Sequence, residues 1–261
     1  MTDPWPAPNS CGTKADYFGK TRETFRATSS CWIDGPAGSK LPAGPVSAVG
    51  GPPMYVPPHF AESDPAKLHD FIERYSFGLL VSQVGGVPFA SHLPLLLDRT
   101  AGPHGTLLGH VARANPHWRE LAGQTALAVF SGPHAYVSPT WYEAENVVPT
   151  WNYVAVHAYG RAAVVEDRAA VLEIVQRSVA VYEAALPRPW TFDGASAFVG
   201  GKLRQIVGFR IAIERLEGKW KLNQNQPVER RKKVADVLGE QGGDDARAVA
   251  EMMRAMFPAG G

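Results

Sequence analysis

Residues 78–97 read GLLVSQV-GG-VPFASHLPLLL, and this stretch decides the fold. Two apolar runs flank Gly85-Gly86, a pair that suits the two-residue turn of a β-hairpin. Along the second run Phe89, Ser91, Leu93, Leu95 and Leu97 share one face, which leaves His92 on the other with Ala90 and Leu96. Working back, Asp64 followed by Pro65 predicts a helix start, with Leu68, Phe71, Ile72 and Tyr75 forming one buried stripe up to Gly78. Working forward, strands are expected at 105–112, 125–131 and 150–165, with only a short helical insert near 115–121. A helix from about Asp167 to Leu186 should bury Leu172, Val175, Val179, Tyr182 and Leu186 as one seam. Strands return at 206–213 and 217–222, and Phe209, Ile211 and Ile213 alternate with Arg210 and Ala212. Two helices close the pattern, one near 227–238 and one from Asp244 with Val249, Met252, Met253 and Met256 on one face. The connections are too short for alternating βαβ units, so the class is α+β: an antiparallel barrel with peripheral helices.

The chain of 261 residues carries 26 basic and 25 acidic side chains, a formal charge of +1. That balance lacks the positive field of general nucleic-acid binders. No apolar run approaches the roughly 18 residues that span a bilayer, so membrane insertion is excluded as an expectation. Residues 1–53 hold eight prolines and seven glycines and show no period. They read as a disordered extension, or as an artefact if translation starts at Met54, and the domain is expected over 54–261. The two cysteines, Cys11 and Cys31, follow no secretory signal, which points to a cytoplasmic protein with reduced thiols.

There is no P-loop, no GxGxxG before a helix, no GxSxG, no HExxH and no CxxC. Chemistry instead gathers in segments rich in His, Trp, Asn and Arg: 91–97, 109–118, 131–142 and 149–157. Each of His92 and His110 lies on a strand face and reads alone as a structural histidine or as a ligand. Arg113 offers a planar fork for phosphate or carboxylate, and Asn115 either binds a ligand or caps a helix beginning at Pro116. Trp141, Tyr142, Trp151 and Tyr153 suit a flat cofactor or a subunit interface. The run Arg230, Arg231, Lys232, Lys233 is the one concentrated basic patch, either a solvated helix face or a DNA contact.

At these segments the sequence resembles the PaiB-like family, described as FMN-binding negative transcriptional regulators. The resemblance rests on MYVPPHF (54–60), SHLPLLLD (91–98), GHVARANPHW (109–118), FSGPHAYVSPTWY (130–142), VPTWNYVAVHAYG (148–160) and KLNQNQP (221–227). It implies a split β-barrel of the FMN-binding type with peripheral and C-terminal helices, a bacterial homodimer with its cofactor at the subunit interface, and a DNA operator as partner. By motif the cofactor site falls on Ser91, His92, His110, Arg113, Asn115, Trp151, Asn152, Lys221 and Asn223. Arg113 is assigned to the cofactor phosphate or propionate, and Trp151 to stacking or interface packing. Relatives that make piperazate are haem enzymes, so haem is the alternative cofactor, with His110 or His117 as iron ligand. A flavin-responsive regulator, a haem- or flavin-dependent enzyme, and a module acting through a protein partner are the three functions the sequence leaves open.

Overall fold

The computed structural model describes residues 50–257. The expected extension at 1–53 lies almost entirely outside these residues. After a short 3-10 turn at Pro58–Phe60 come β1 (Ala61–Glu62), α1 (Pro65–Arg74), β2 (Phe77–Val84), β3 (Val87–Pro94), β4 (Leu96–Asp98), β5 (Thr106–Ala112) and α2 (His117–Leu121). Then follow β6 (Thr125–Val137), a 3-10 turn at Pro139–Tyr142, β7 (Thr150–Val165), α3 (Arg168–Glu183), α4 (Ala197–Leu203), β8 (Ile206–Lys221), α5 (Val228–Glu240) and α6 (Asp244–Arg254).

All strand pairs are antiparallel, in the order β3-β2-β6-β7-β8-β5-β4, with β1 added to β8. The two ends of that order, β3 and β4, are joined through the single residue Leu95. A linker of that length spans at most about 7 Å. The first and last strands must therefore meet, and the sheet curls into a barrel whose seam is not hydrogen-bonded. This is the split β-barrel. The expected single strand 87–97 is broken at Leu95, whose N–H leaves the ladder to donate to Ser76 O at 2.8 Å.

Local chemistry explains the elements. Asp64 accepts from Ala66 N at 2.9 Å and caps α1, which ends at Arg74, a turn earlier than Gly78 suggests. Gly85 and Gly86 take φ of 61° and 77°, values that make the β2–β3 turn a glycine position twice over. Inside the barrel Leu80, Leu95, Leu107, Phe130, Val156, Phe209 and Ile211 are fully buried. The expected break between 213 and 217 is absent, and β8 runs unbroken for 16 residues. At its bulge opposite Gly160, a Cβ would stand 2.0 Å from Ala212 O, so that crossing requires glycine.

Two helices differ from the expected faces. In α3 the buried residues are Val171 and Ile174, whereas Tyr182 and Leu186 of the expected seam are exposed. In α6 Val249, Ala250 and Met253 are buried and Met256 is exposed. Among the described residues, no helix is long and apolar enough to cross a membrane.

Candidate functional site

The turn after β5 builds a closed polar ring. His117, at the start of α2, is fully buried, with Nδ1 2.9 Å from Ser91 Oγ and Nε2 2.8 Å from Ser82 Oγ. Asn115 Nδ2 donates to Ser91 Oγ at 3.0 Å, and Asn115 Oδ1 accepts from His117 N at 3.0 Å. In the neutral imidazole one ring nitrogen donates and the other accepts, and the two serine hydroxyls supply the matching acceptor and donor. Burial pushes the His117 imidazole below its ordinary value, so it stays neutral. With both nitrogens taken, His117 has none to offer an iron ion, which removes it as a haem ligand. Asn115 makes a side-chain bond to the first residue of α2, although the helix starts at His117 with Pro116 at its cap position, one residue later than the expected start.

Arg113 is likewise engaged within the chain. Its Nη1 donates to Glu166 Oε2 at 2.9 Å, Nε to Arg204 O at 3.0 Å and Nη2 to Ile206 O at 3.3 Å. Its backbone N–H donates to Gln205 O at 2.7 Å, and its guanidinium lies 5.5 Å from the Trp118 ring. The fork expected to face a phosphate instead clamps the 204–206 segment.

That segment is one wall of a cavity of about 390 Å³ lined by His110 and Ala112 of β5, Val175 of α3, Phe198, Val199, Lys202 and Leu203 of α4, the loop residues Trp190 and Phe192, and Gln205 with Ile206. This volume is within the usual range for small-molecule sites. Trp190 and Phe192 stack with centroids 5.3 Å apart, and Lys202 Nζ sits 5.5 Å from the Phe198 ring. The His110 ring makes no hydrogen bond to any described residue, and burial holds its pKa below the ordinary value. An imidazole held toward its neutral form thus lines the cavity without a hydrogen-bond partner among the described residues.

The remaining sequence candidates lie elsewhere. His92 is exposed and stacked at 6.5 Å on Phe77. Trp151, half exposed on β7, meets His134 and Tyr136. Lys221 Nζ donates to Trp151 O at 2.6 Å and to Thr150 Oγ1. Asn152 and Asn223 are buried, with Asn152 Nδ2 on Met253 Sδ at 3.4 Å and Asn223 Nδ2 on Tyr142 Oη at 2.9 Å. The structure therefore joins Ser91 and Asn115 in one network, puts Arg113 behind the cavity, and brings only His110 to its lining. Trp190, Phe192, Phe198, Lys202 and Gln205 were missed. Their signal was the aromatic pair in PRPWTF (187–192), which sits on no periodic element.

The basic run is largely consumed by the fold. Arg231 is buried, with its guanidinium 5.1 Å from Phe257, Arg230 bonds Gln226 at 3.2 Å, and Lys233 pairs with Glu143.

Residues 54–215 match the family described as "Putative FMN-binding domain". The chain belongs to this family. "Protease synthase and sporulation protein PAI 2" of Bacillus subtilis (strain 168) is 36% identical over 202 residues, covering 77% of this chain and 96% of that protein. This makes the chain PaiB-like, as its motifs suggested. "Uncharacterized protein AFUA_5G13800" of Aspergillus fumigatus is 28% identical over 252 residues, covering 77% and 97%. Among solved structures, the flavocytochrome Anf3 from Azotobacter vinelandii aligns with a TM-score of 0.48 at 17% identity, covering 62% of this chain and 69% of that one. FMN is the cofactor of the family to which the chain belongs.

Proposed function

We propose that the protein is a homodimeric regulator that holds FMN in the His110 cavity and responds to its state. The observation that carries this reading is the cavity's donor set: three aromatic rings, an imidazole with no protein partner, one amide side chain and one ammonium. An isoalloxazine asks for flat apolar walls with a few polar groups at its edge, and its phosphate asks for a cation. Trp190, Phe192 and Phe198 would wall the ring, His110 and Gln205 would meet its polar edge, and Lys202 would take the phosphate. When bound, FMN supplies one- and two-electron redox chemistry. The protein's part is to orient the ring, exclude water from it and hold a neutral imidazole beside it.

The homodimer reading is supported by the outer face of β2, β3 and β6. There Phe77 is 68% exposed, and Leu79, Val81, Leu127 and Val129 form a half-buried apolar stripe beside it. Such a face fits a second copy of itself. Sedimentation should give a dimer that Phe77→Glu converts to monomer, and a monomeric parent protein would refute the assignment. Regulation is supported by the PaiB-like relationship. A gel shift on DNA upstream of its own gene tests the operator arm, and retention of that shift in Lys232→Ala would place the contact outside α5. His110, which has no hydrogen-bond partner among the described residues, also favours a second reading, a haem enzyme. The absorption spectrum of the purified protein decides: the two visible bands of oxidised flavin support FMN, and a Soret band lost in His110→Ala supports haem.

A further inference from the structure

The sheet face turned away from the core carries polar groups that the His110 cavity does not use. On β8, Arg215, Glu217, Lys219 and Lys221 alternate onto this face, opposite Tyr159, His157, Ala155 and Tyr153 of β7. Three cations there share one carboxylate. Glu217 is already engaged: Oε1 lies 3.2 Å from Arg215 Nε, and Oε2 accepts from Met54 N at 3.0 Å. Neither lysine has a carboxylate within ion-pair distance among the described residues.

Lys219 is only 8% exposed. Its Nζ donates to Tyr55 O at 2.9 Å and lies 5.4 and 5.3 Å from the Tyr55 and Tyr153 ring centroids. Lys221 reaches Thr150 Oγ1 and Trp151 O. Beside them, His157 Nδ1 is buried with no hydrogen-bond partner. Taking an ammonium out of water costs several kcal/mol, of which one carbonyl and two ring faces offset a part. Burial first, and then the charge of Lys219, push the Lys221 ammonium below its ordinary value. Lys219 and Lys221 thus stand two positions apart on one strand, with Cα atoms about 7 Å apart, and the one carboxylate on this face, Glu217, is engaged elsewhere.

We propose that Lys219 and Lys221 form a seat for the anionic group, phosphate or carboxylate, of a small ligand distinct from the flavin, with Tyr153 and the half-exposed Trp151 as its apolar wall. The seat stands whether or not FMN fills the His110 cavity, because the two share no lining residue.

The test titrates the full chain, with FMN supplied, with inorganic phosphate and separately with succinate at constant ionic strength, read by calorimetry and tryptophan fluorescence. A saturable signal with one of them is expected, and which anion gives it identifies the ligand as a phosphate ester or a carboxylate. Lys219→Met should weaken that binding at least tenfold, Lys219→Arg should restore most of it, and flavin content should be unchanged in both. Trp151→Phe should remove the fluorescence change while leaving the heat. If circular dichroism shows that Lys219→Met does not fold, Lys221→Gln must show the same loss. No saturable binding, equal binding in the lysine variants, or loss of flavin with Lys219→Met would each overturn the proposal, the last by assigning the seat to FMN itself.

Discussion

Lowering the pH should unfold this protein through its buried histidines. Burial depresses the imidazole pKa of His110 and His117, and of His157, which Glu217 pulls back up and Lys219 pushes further down. A histidine held neutral in the fold but free to protonate at about 6.5 when unfolded gives stability that is present above that value. The stability is lost as pH falls from there toward the folded pKa, because only the unfolded chain takes the proton. Between about pH 7.5 and about pH 5.5 each such histidine removes at most about 1.4 kcal/mol, so the three together remove at most about 4 kcal/mol. Against a total of roughly 5–15 kcal/mol for a typical domain, this is a large fraction. Urea unfolding at the two pH values and fixed salt should show the drop, with unchanged slope against denaturant. His110→Gln should reduce the drop by up to a third, because that ring has no protein partner whose loss would confuse the result. A stability that is flat, or that rises, toward pH 5.5 would refute the claim that these imidazoles are neutral in the fold.

Three further outcomes follow from the same geometry. Ser91→Ala leaves His117 Nδ1 buried without its partner, at about 1–3 kcal/mol, and also removes the acceptor of the half-buried Asn115 Nδ2. Thermal melts should fall by several degrees, at about 2–4 °C per kcal/mol for a domain of this size. Gly160→Ala drives a Cβ into Ala212 O and should cost about 3 kcal/mol or more, read as loss of folded protein in circular dichroism. Trp190→Ala removes a ring that is 57% exposed, so the fold should persist while FMN affinity falls at least tenfold, about 1.4 kcal/mol. An unchanged Kd would exclude Trp190 from the flavin wall.

The parts of the fold that were legible in the sequence are those with a strong period or a forced backbone. The Asp64-Pro65 start, the Gly85-Gly86 turn, the 150–165 strand and the inward Phe209, Ile211 and Ile213 are all found as expected. The α3 seam misled for a physical reason. Val175 lines the His110 cavity, and Val179 lines a shallow groove on the far side of Trp190, so apolar positions there serve open spaces as well as the core. Pattern alone cannot tell a wall from an interior. The segment 187–205 escaped for the opposite reason: its elements are short, and its aromatic residues act through stacking with no repeat. Arg113 shows the limit of reading chemistry from residue type. A guanidinium suited to phosphate is equally suited to three oxygen acceptors of its own chain, and only coordinates show which it has.

The long strand β8 has a consequence for how the chain comes off the ribosome. It pairs with β7 on one side and with β5 on the other, and takes β1 at its far end. Residues near 61, 106 and 150 all wait for a partner that is synthesised last among the strands. Until Lys221 has cleared the exit tunnel, β5 and β7 each present an unpaired edge, the kind of surface that sticks to other chains. At roughly 5–20 residues per second, some 56 residues from the end of β7 to the end of β8 leave those edges open for several seconds. Closure of the sheet therefore waits for β8, and a chain truncated before β8 should associate with chaperones rather than persist as a smaller barrel.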